Sequence, residues 1–157
     1  MRRTCDVIVI GLGAMGSAAC ASLAASGLRV LGLEQFTRGH DRGSSHGGSR
    51  VVRWTYFEDP AYMPLLMRAR EGWAEVEAIS GQKLLDLCGV VYVGDPKGEV
   101  LEGVRRSGRD YGIAVEELDR DACRERLPWF AVPEGAAAIL EPGGGFVRPE
   151  AAILAQL

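Results

Sequence analysis

Residues 5–34 read CDVIVIGLGAMGSAACASLAASGLRVLGLE, and the order of residue types in this stretch decides the fold. Cys5 to Ile10 is a β-branched run that ends at glycine, the pattern of a strand buried on both faces. Ala14 to Ser26 is rich in alanine and other small residues and stops at Gly27, as a helix with a glycine just past its end does. Arg29 to Glu34 reads as a second strand. Strand, helix and strand in this order form a βαβ unit, whose right-handed crossover makes the two strands parallel neighbours.

The turn between the first strand and the helix, GLGAMG, carries glycines at 11, 13 and 16. In this setting Gly11 permits a tight turn, Gly13 lets a pyrophosphate approach the backbone, and Gly16 lets helix and strand pack closely. The N–H groups at the start of the helix then face the anion. Glu34 closes the second strand eighteen residues after Gly16, where a carboxylate accepts hydrogen bonds from ribose hydroxyls. Such an acid disfavours a ribose bearing a 2′-phosphate, and therefore NADP. It does not separate NAD from FAD, which share the same ADP half.

The chain has 157 residues, 47% apolar and 25% charged, the balance of a folded soluble domain. A net charge of −3 gives no general attraction to nucleic acid or to an anionic membrane, so neither is expected as a partner. Arg2 and Arg3 precede an uncharged run from Val7 to Leu28 that has the length of an export signal or a membrane span. Its many glycines and serines, with Asp6 at its flank, argue for the βαβ reading instead. Cys5, Cys20, Cys88 and Cys123 form no CxxC pair and have no histidine at ligand spacing. They are read as reduced thiols of a cytoplasmic protein without a metal site.

Beyond the βαβ unit, HDRGSSHGGSRVVRW (40–54) gathers both histidines of the chain with permissive glycines and Arg42, Arg50 and Arg53. If ADP occupies the glycine turn, this loop runs along the cofactor toward its reactive ring. Backbone N–H groups and the hydroxyls of Ser44, Ser45 and Ser49 are then donors, and Arg50 and Arg53 are fixed cations for a reduced ring or a substrate carboxylate. Asp59 and Pro60 signal the start of a long helix that ends at Gly81. Further on, the residues predict strands at 90–93, 113–118 and 136–140, helices at 100–111 and 120–127, and a last helical segment at 148–157.

The stretches GLGAMGS, LEQF and GSSHGGSRVVR, with the tyrosine of RWTY and the helix DPAYMPLLMRAREGWAEVE, resemble the N-terminal half of the flavin amine oxidases of the sarcosine oxidase and N-methyl-tryptophan oxidase type. The likeness runs over essentially the whole chain. It implies an α/β (mixed α+β) fold: an FAD-binding Rossmann-like βαβ unit and flavin loop over 1–58, part of a mixed-sheet substrate domain over 59–145, and a helix returning to the nucleotide domain over 146–157. It also implies that Gly11, Gly13, Ala14, Met15 and Gly16 hold the FAD pyrophosphate, that Glu34, with Gln35 beside it, binds the adenosine ribose, and that Ser44, Ser45, His46 and Arg50 lie along the flavin. His46 and Arg50 would tune its redox state, Arg53 would bind the substrate carboxylate, and Tyr56 would line the substrate cavity.

The implied reaction oxidises the C–N bond of a secondary or N-methylated amino acid, with O2 as the final acceptor and peroxide as a product. Complete members of this family are longer, and the resemblance places their remaining lysines and flavin-attaching cysteine beyond Leu157, so no covalent flavin is predicted here. The chain therefore reads as truncated, and its exposed strand edges favour self-association or a partner polypeptide. The strands at 90–93 and 136–140, and the second strand of the βαβ unit, are expected to lack neighbours on their apolar faces. Two other readings stand beside the oxidase: an FAD-binding piece without catalysis of its own, and an NAD-dependent dehydrogenase.

Overall fold

The computed structural model of the protein describes residues 4–157, so Arg2 and Arg3 lie outside the described residues. The chain forms two compact units, one made of residues up to Arg50 with 72–85 and 147–157, the other of 51–71 and 86–146.

In the first unit, β1 (Val7–Ile10) and β2 (Val30–Leu33) are parallel and in register from Val7 opposite Val30 to Ile10 opposite Leu33. The crossover is α1 (Ala14–Ala25), which ends where Gly27 takes a left-handed φ of 82°. Asp6 fixes the entry to this pair, accepting the Arg29 backbone N–H and the Arg29 Nε–H at 2.9 Å each. The segment α5 (Pro149–Gln156) packs against α1, and Ser17 Oγ donates to Gln156 Oε1 at 2.8 Å.

Burial corrects one expectation. The first strand is not covered on both faces: Ile8 and Ile10 are 54% and 85% exposed, and their β2 partners Leu31 and Leu33 are exposed with them. Only the face toward α1 is packed, where Leu12 and Cys20 lie against Gly32. A β-branched run signals a strand, but coverage depends on neighbours that periodicity does not report.

The second unit is built on an antiparallel sheet in the order β5 (Val90–Gly94), β7 (Ala137–Glu141), β6 (Glu116–Leu118). The faces of β5 and β7, expected to lack neighbours, are covered on both sides. On one face Tyr92 and Ile139 pack against Leu101 and Val104 of α3 (Glu99–Tyr111). On the other, Leu118 and Ala138 pack with Cys123 of α4 (Arg120–Arg126) and Leu127. Adjacent strand residues point to opposite faces, so Ala138 and Ile139 serve the two cores in turn. Each fully buried Leu, Val or Ile contributes roughly 1.5–3 kcal/mol, so two such cores account for this sheet.

Asp59 accepts the Ala61 N–H at 2.7 Å and starts a 3-10 turn at Pro60–Tyr62 that leads into α2 (Met63–Ser80). Three short strands, β3 (Arg50–Val52), β4 (Leu85–Asp86) and β8 (Gly145–Val147), stand where the chain passes between the units.

Candidate functional site

The first unit holds the glycine turn. Gly11 has a φ of 88°, open to glycine at little cost, and its N–H donates to the Leu33 carbonyl at 2.8 Å. A Cβ on Gly16 would lie 1.8 Å from the Gly11 carbonyl oxygen, so the start of α1 can meet β1 only because residue 16 has no side chain. Gly13 caps α1 without a side-chain hydrogen bond. Residue 13 therefore takes none of the first-turn donors, and the partial positive charge of the helix start is left for an anion. Ser45 reaches this turn, its Oγ accepting the Ala14 N–H at 3.2 Å.

Glu34 is more tightly held than a free ribose ligand. Its side chain is 10% exposed; Oε2 accepts the Leu12 N–H at 2.8 Å, and Oε1 accepts the Gln35 and Phe36 N–H groups at 2.8 and 3.2 Å. The Leu12 N–H leads these donors in holding the carboxyl below the usual carboxylate range, against a lesser opposing effect of burial. A carboxylate has about four acceptor positions, so one remains on Oε2 for a hydroxyl. Ile10, Gly11, Leu33, Glu34 and Gln35 line a groove of about 500 Å³. Ala14, Met15, Ser44, Ser45 and Arg50 line a second cavity of about 350 Å³, with Trp73 on its wall.

The arginine-glycine loop has an internal scaffold. The Arg50 guanidinium donates to the carbonyls of Ser44, His46 and Ser49 at 2.5, 2.8 and 2.8 Å, so it shapes the loop as well as charging it. His46 Nδ1 lies 2.5 Å from the Gly43 carbonyl. Gly47, at a φ of 110°, turns its N–H to Glu150 Oε1 at 2.8 Å. His40 Nε2 stands 3.5 Å from Glu34 Oε1.

Arg53 and Tyr56 belong to the second unit. The Arg53 guanidinium lies over the rings of Tyr56 and Phe57, 4.6 and 4.7 Å from their centroids, and pairs with Glu58. Burial pulls the Arg53 pKa down, but Glu58 and Tyr92 outweigh it and hold the group above its ordinary value. Arg53 Nη1 is the one buried side-chain nitrogen or oxygen among the described residues without a hydrogen-bond partner. A helix-packing detail sets the two rings. A Cβ on Gly103 would lie 2.9 Å from the Phe57 Cα, and Ser107 Oγ donates to the Tyr56 carbonyl at 2.6 Å, so α3 grips the 56–57 backbone directly.

The structure thus gathers Gly11, Gly13, Ala14, Met15, Gly16, Glu34, Gln35, Ser44, Ser45, His46 and Arg50 in one unit, and Arg53 with Tyr56 in the other. It adds Glu58, Glu141 and Glu150, which the sequence reading does not single out. For Glu141 a signal exists: it shares the inward face of β7 with Ile139, a carboxylate at a core position.

A glycine-capped helix start, a fixed strand-end carboxylate and a cation-bearing loop define a dinucleotide-binding oxidoreductase, and this donor set fits the pyrophosphate and ribose of FAD. The family model described as FAD dependent oxidoreductase matches residues 6–157, and the chain belongs to that family. It is 48% identical over its full length to monomeric sarcosine oxidase of Streptomyces avermitilis, covering 41% of that protein. It is 39% identical over 94% of its length to N-methyl-L-tryptophan oxidase of Yersinia pestis, covering 40% of it. The chain therefore spans about two fifths of the length of these relatives. Among solved structures, NikD, an amino acid oxidase of nikkomycin biosynthesis, aligns over 99% of this chain and 40% of its own at a TM-score of 0.81 and 24% identity. L-proline dehydrogenase from P. horikoshii aligns over 99% of this chain and 41% of its own at 0.80 and 21%, a likeness of fold.

Proposed function

We propose that this chain supplies the FAD-binding and carboxylate-binding portion of an amine oxidase acting on a secondary or N-methylated amino acid. The observation that carries the reading is Arg53: a cation set against two aromatic rings, with one buried donor left for an acceptor that the described residues do not provide. A substrate carboxylate is an acceptor of that kind, and a planar guanidinium binds it with directional hydrogen bonds. When bound, FAD supplies the acceptor for a hydride from the carbon next to nitrogen and hands the electrons to O2, giving hydrogen peroxide.

The residues of the chain position and screen. The start of α1 and Ser45 hold the pyrophosphate, Glu34 the ribose, and Arg50 keeps the 44–50 loop in shape beside the cofactor. His46, tied to the Gly43 carbonyl, serves as a positioning group. Tyr56 forms a wall of the substrate cavity and a face for Arg53. The exposed Ile8, Ile10, Leu31 and Leu33 support packing of this sheet face against further polypeptide. The four cysteines are free thiols, in keeping with a cytoplasmic, reducing setting.

The test compares sarcosine with methylamine-type substrates that lack the carboxylate, in flavin-loaded enzyme with and without Arg53→Ala, by peroxide release. The variant is expected to raise KM for the amino acid at least tenfold, since it removes a partly buried charge partner. The small remaining activity toward the amine is expected to stay as it is. Equal KM values for the amino acid would remove Arg53 from substrate binding.

A further inference from the structure

The segment 53–58 is clamped from a second side by a carboxylate with no part in the chemistry described above. Glu141 is fully buried at the end of β7. Its Oε1 accepts the Trp54 N–H at 2.7 Å, and its Oε2 accepts the Thr55 N–H at 3.0 Å and the Tyr92 hydroxyl at 3.1 Å. Thr55 Oγ1 also donates to Oε2, and lies 2.9 Å from the Tyr92 hydroxyl. The two N–H groups belong to the residues directly after Arg53 and before Tyr56, so the carboxylate holds the backbone between the guanidinium and one of the rings it lies on.

A buried carboxylate is costly unless every acceptor position is used. Here two backbone and two hydroxyl donors meet the two oxygens, so the cost is offset and the geometry becomes rigid. A turn of ordinary backbone would serve the fold without a charge, and an apolar residue at this position would match Ile139. What a carboxylate adds is two directed bonds to consecutive N–H groups of one short segment. Tyr92 extends the network: its hydroxyl touches both Glu141 and Thr55, the second of the two residues that follow Arg53.

Resting on the reading of Arg53 as the carboxylate-binding group, we propose that Glu141 is a positioning residue: by clasping the Trp54 and Thr55 N–H groups, it sets the Arg53 guanidinium in the geometry that receives a substrate carboxylate. Tyr92 couples the clasp to Arg53. Removing the clasp loosens carboxylate binding and leaves the flavin-side residues of the first unit in place.

The experiment is an acetate titration of the whole chain at constant ionic strength with chloride as the balancing anion, followed at the Arg53 Nε–Hε NMR resonance. Acetate is expected to shift this resonance saturably in the unaltered protein. In Glu141→Gln its apparent affinity is expected to fall about tenfold, the scale of a lost charge-assisted hydrogen bond. A merely structural role would lower the folded fraction without changing the affinity of the molecules that remain folded. Unchanged affinity in folded Glu141→Gln overturns the proposal. Where circular dichroism shows that variant unfolded, Tyr92→Phe replaces it, with about a threefold weakening expected, and unchanged affinity there overturns the proposal equally. An Arg53 resonance indifferent to acetate in the unaltered protein sinks the carboxylate reading and the positioning role with it. A responsive unaltered protein with variants that match it sinks the positioning role alone.

Discussion

Gly16→Ala tests the nucleotide turn at its tightest point. The new methyl carbon would stand 1.8 Å from the Gly11 carbonyl oxygen and 2.9 Å from its carbon, where real Cβ atoms come no nearer than 3.0 Å. Helix start and glycine turn must therefore separate by at least about 1.2 Å, and the obstacle is backbone, which cannot rotate aside as a side chain does. Overpacking of this kind costs ~2 kcal/mol, which lowers the Tm of a chain this size by about 4–8 °C. The same displacement takes the first N–H groups of α1 out of hydrogen-bonding range of a pyrophosphate. Each such bond to a charged group is worth roughly 1.5–3 kcal/mol, so FAD affinity falls more than tenfold. Thermal melts and flavin fluorescence titration read the two effects. Gly94→Ala is the control: a Cβ there meets nothing within 4 Å, its φ is not left-handed, and its effect stays within about 0.5 kcal/mol. A Gly16→Ala protein that melts and binds FAD like Gly94→Ala would refute the reasoning.

Three further outcomes follow from individual residues. Glu34 has a folded pKa held below its ordinary value, so the stability it contributes is present above about pH 4.3 and is lost as pH falls through the folded value. Melts between pH 7 and 3 should therefore show a steeper acid loss in the unaltered protein than in Glu34→Gln; parallel curves would contradict this. Gly112 closes α3 with a φ of 64°, so Gly112→Ala should cost about 1 kcal/mol in a urea melt, and a neutral result would contradict the left-handed cap. Glu150→Gln should weaken the hold on the Gly47 N–H and speed hydrogen exchange at that amide several-fold, without a comparable change at Ala14.

Much of this is legible in the chain. The strand, helix and strand of residues 5–34 follow from a β-branched run, a small-residue run and two glycines, all local signals, and β1, α1 and β2 lie inside the expected ranges. Asp59 announces the 3-10 turn because a cap is a contact between neighbours in sequence, and Asp119, directly before α4, caps that helix in the same way by accepting the Ala122 N–H at 2.8 Å. The short strands β3, β4 and β8 leave no such trace: two or three residues are too few for a period, and their strand character depends on distant partners. Coverage is likewise non-local, which is why the exposed side of β1 runs against the expectation from pattern, and the packed sides of β5 and β7 against the expectation drawn from the length of the family's members.

The candidate site divides in the same way. The glycines and Glu34 stand at motif spacing, but the residues that hold the site's parts in place come from far along the chain. Glu150 reaches Gly47 across 103 positions, and Glu141 reaches Trp54 across 87. A lone glutamate has no motif, and only its place on the inward face of a strand betrays it. Arg50 shows the reverse: its charge is plain in the sequence, while its bonds to three carbonyls of its own loop emerge only in the fold.

The most direct test of the account is retention of flavin. The purified protein is mixed with FAD, passed through a gel-filtration column to remove free cofactor, and its visible absorption spectrum is recorded beside that of Gly16→Ala. Flavin bands are expected to travel with the unaltered protein and to be strongly reduced in the variant. Folded protein that emerges colourless, or a variant that retains as much flavin as the unaltered chain, would contradict the assignment of the glycine turn and Glu34 to FAD.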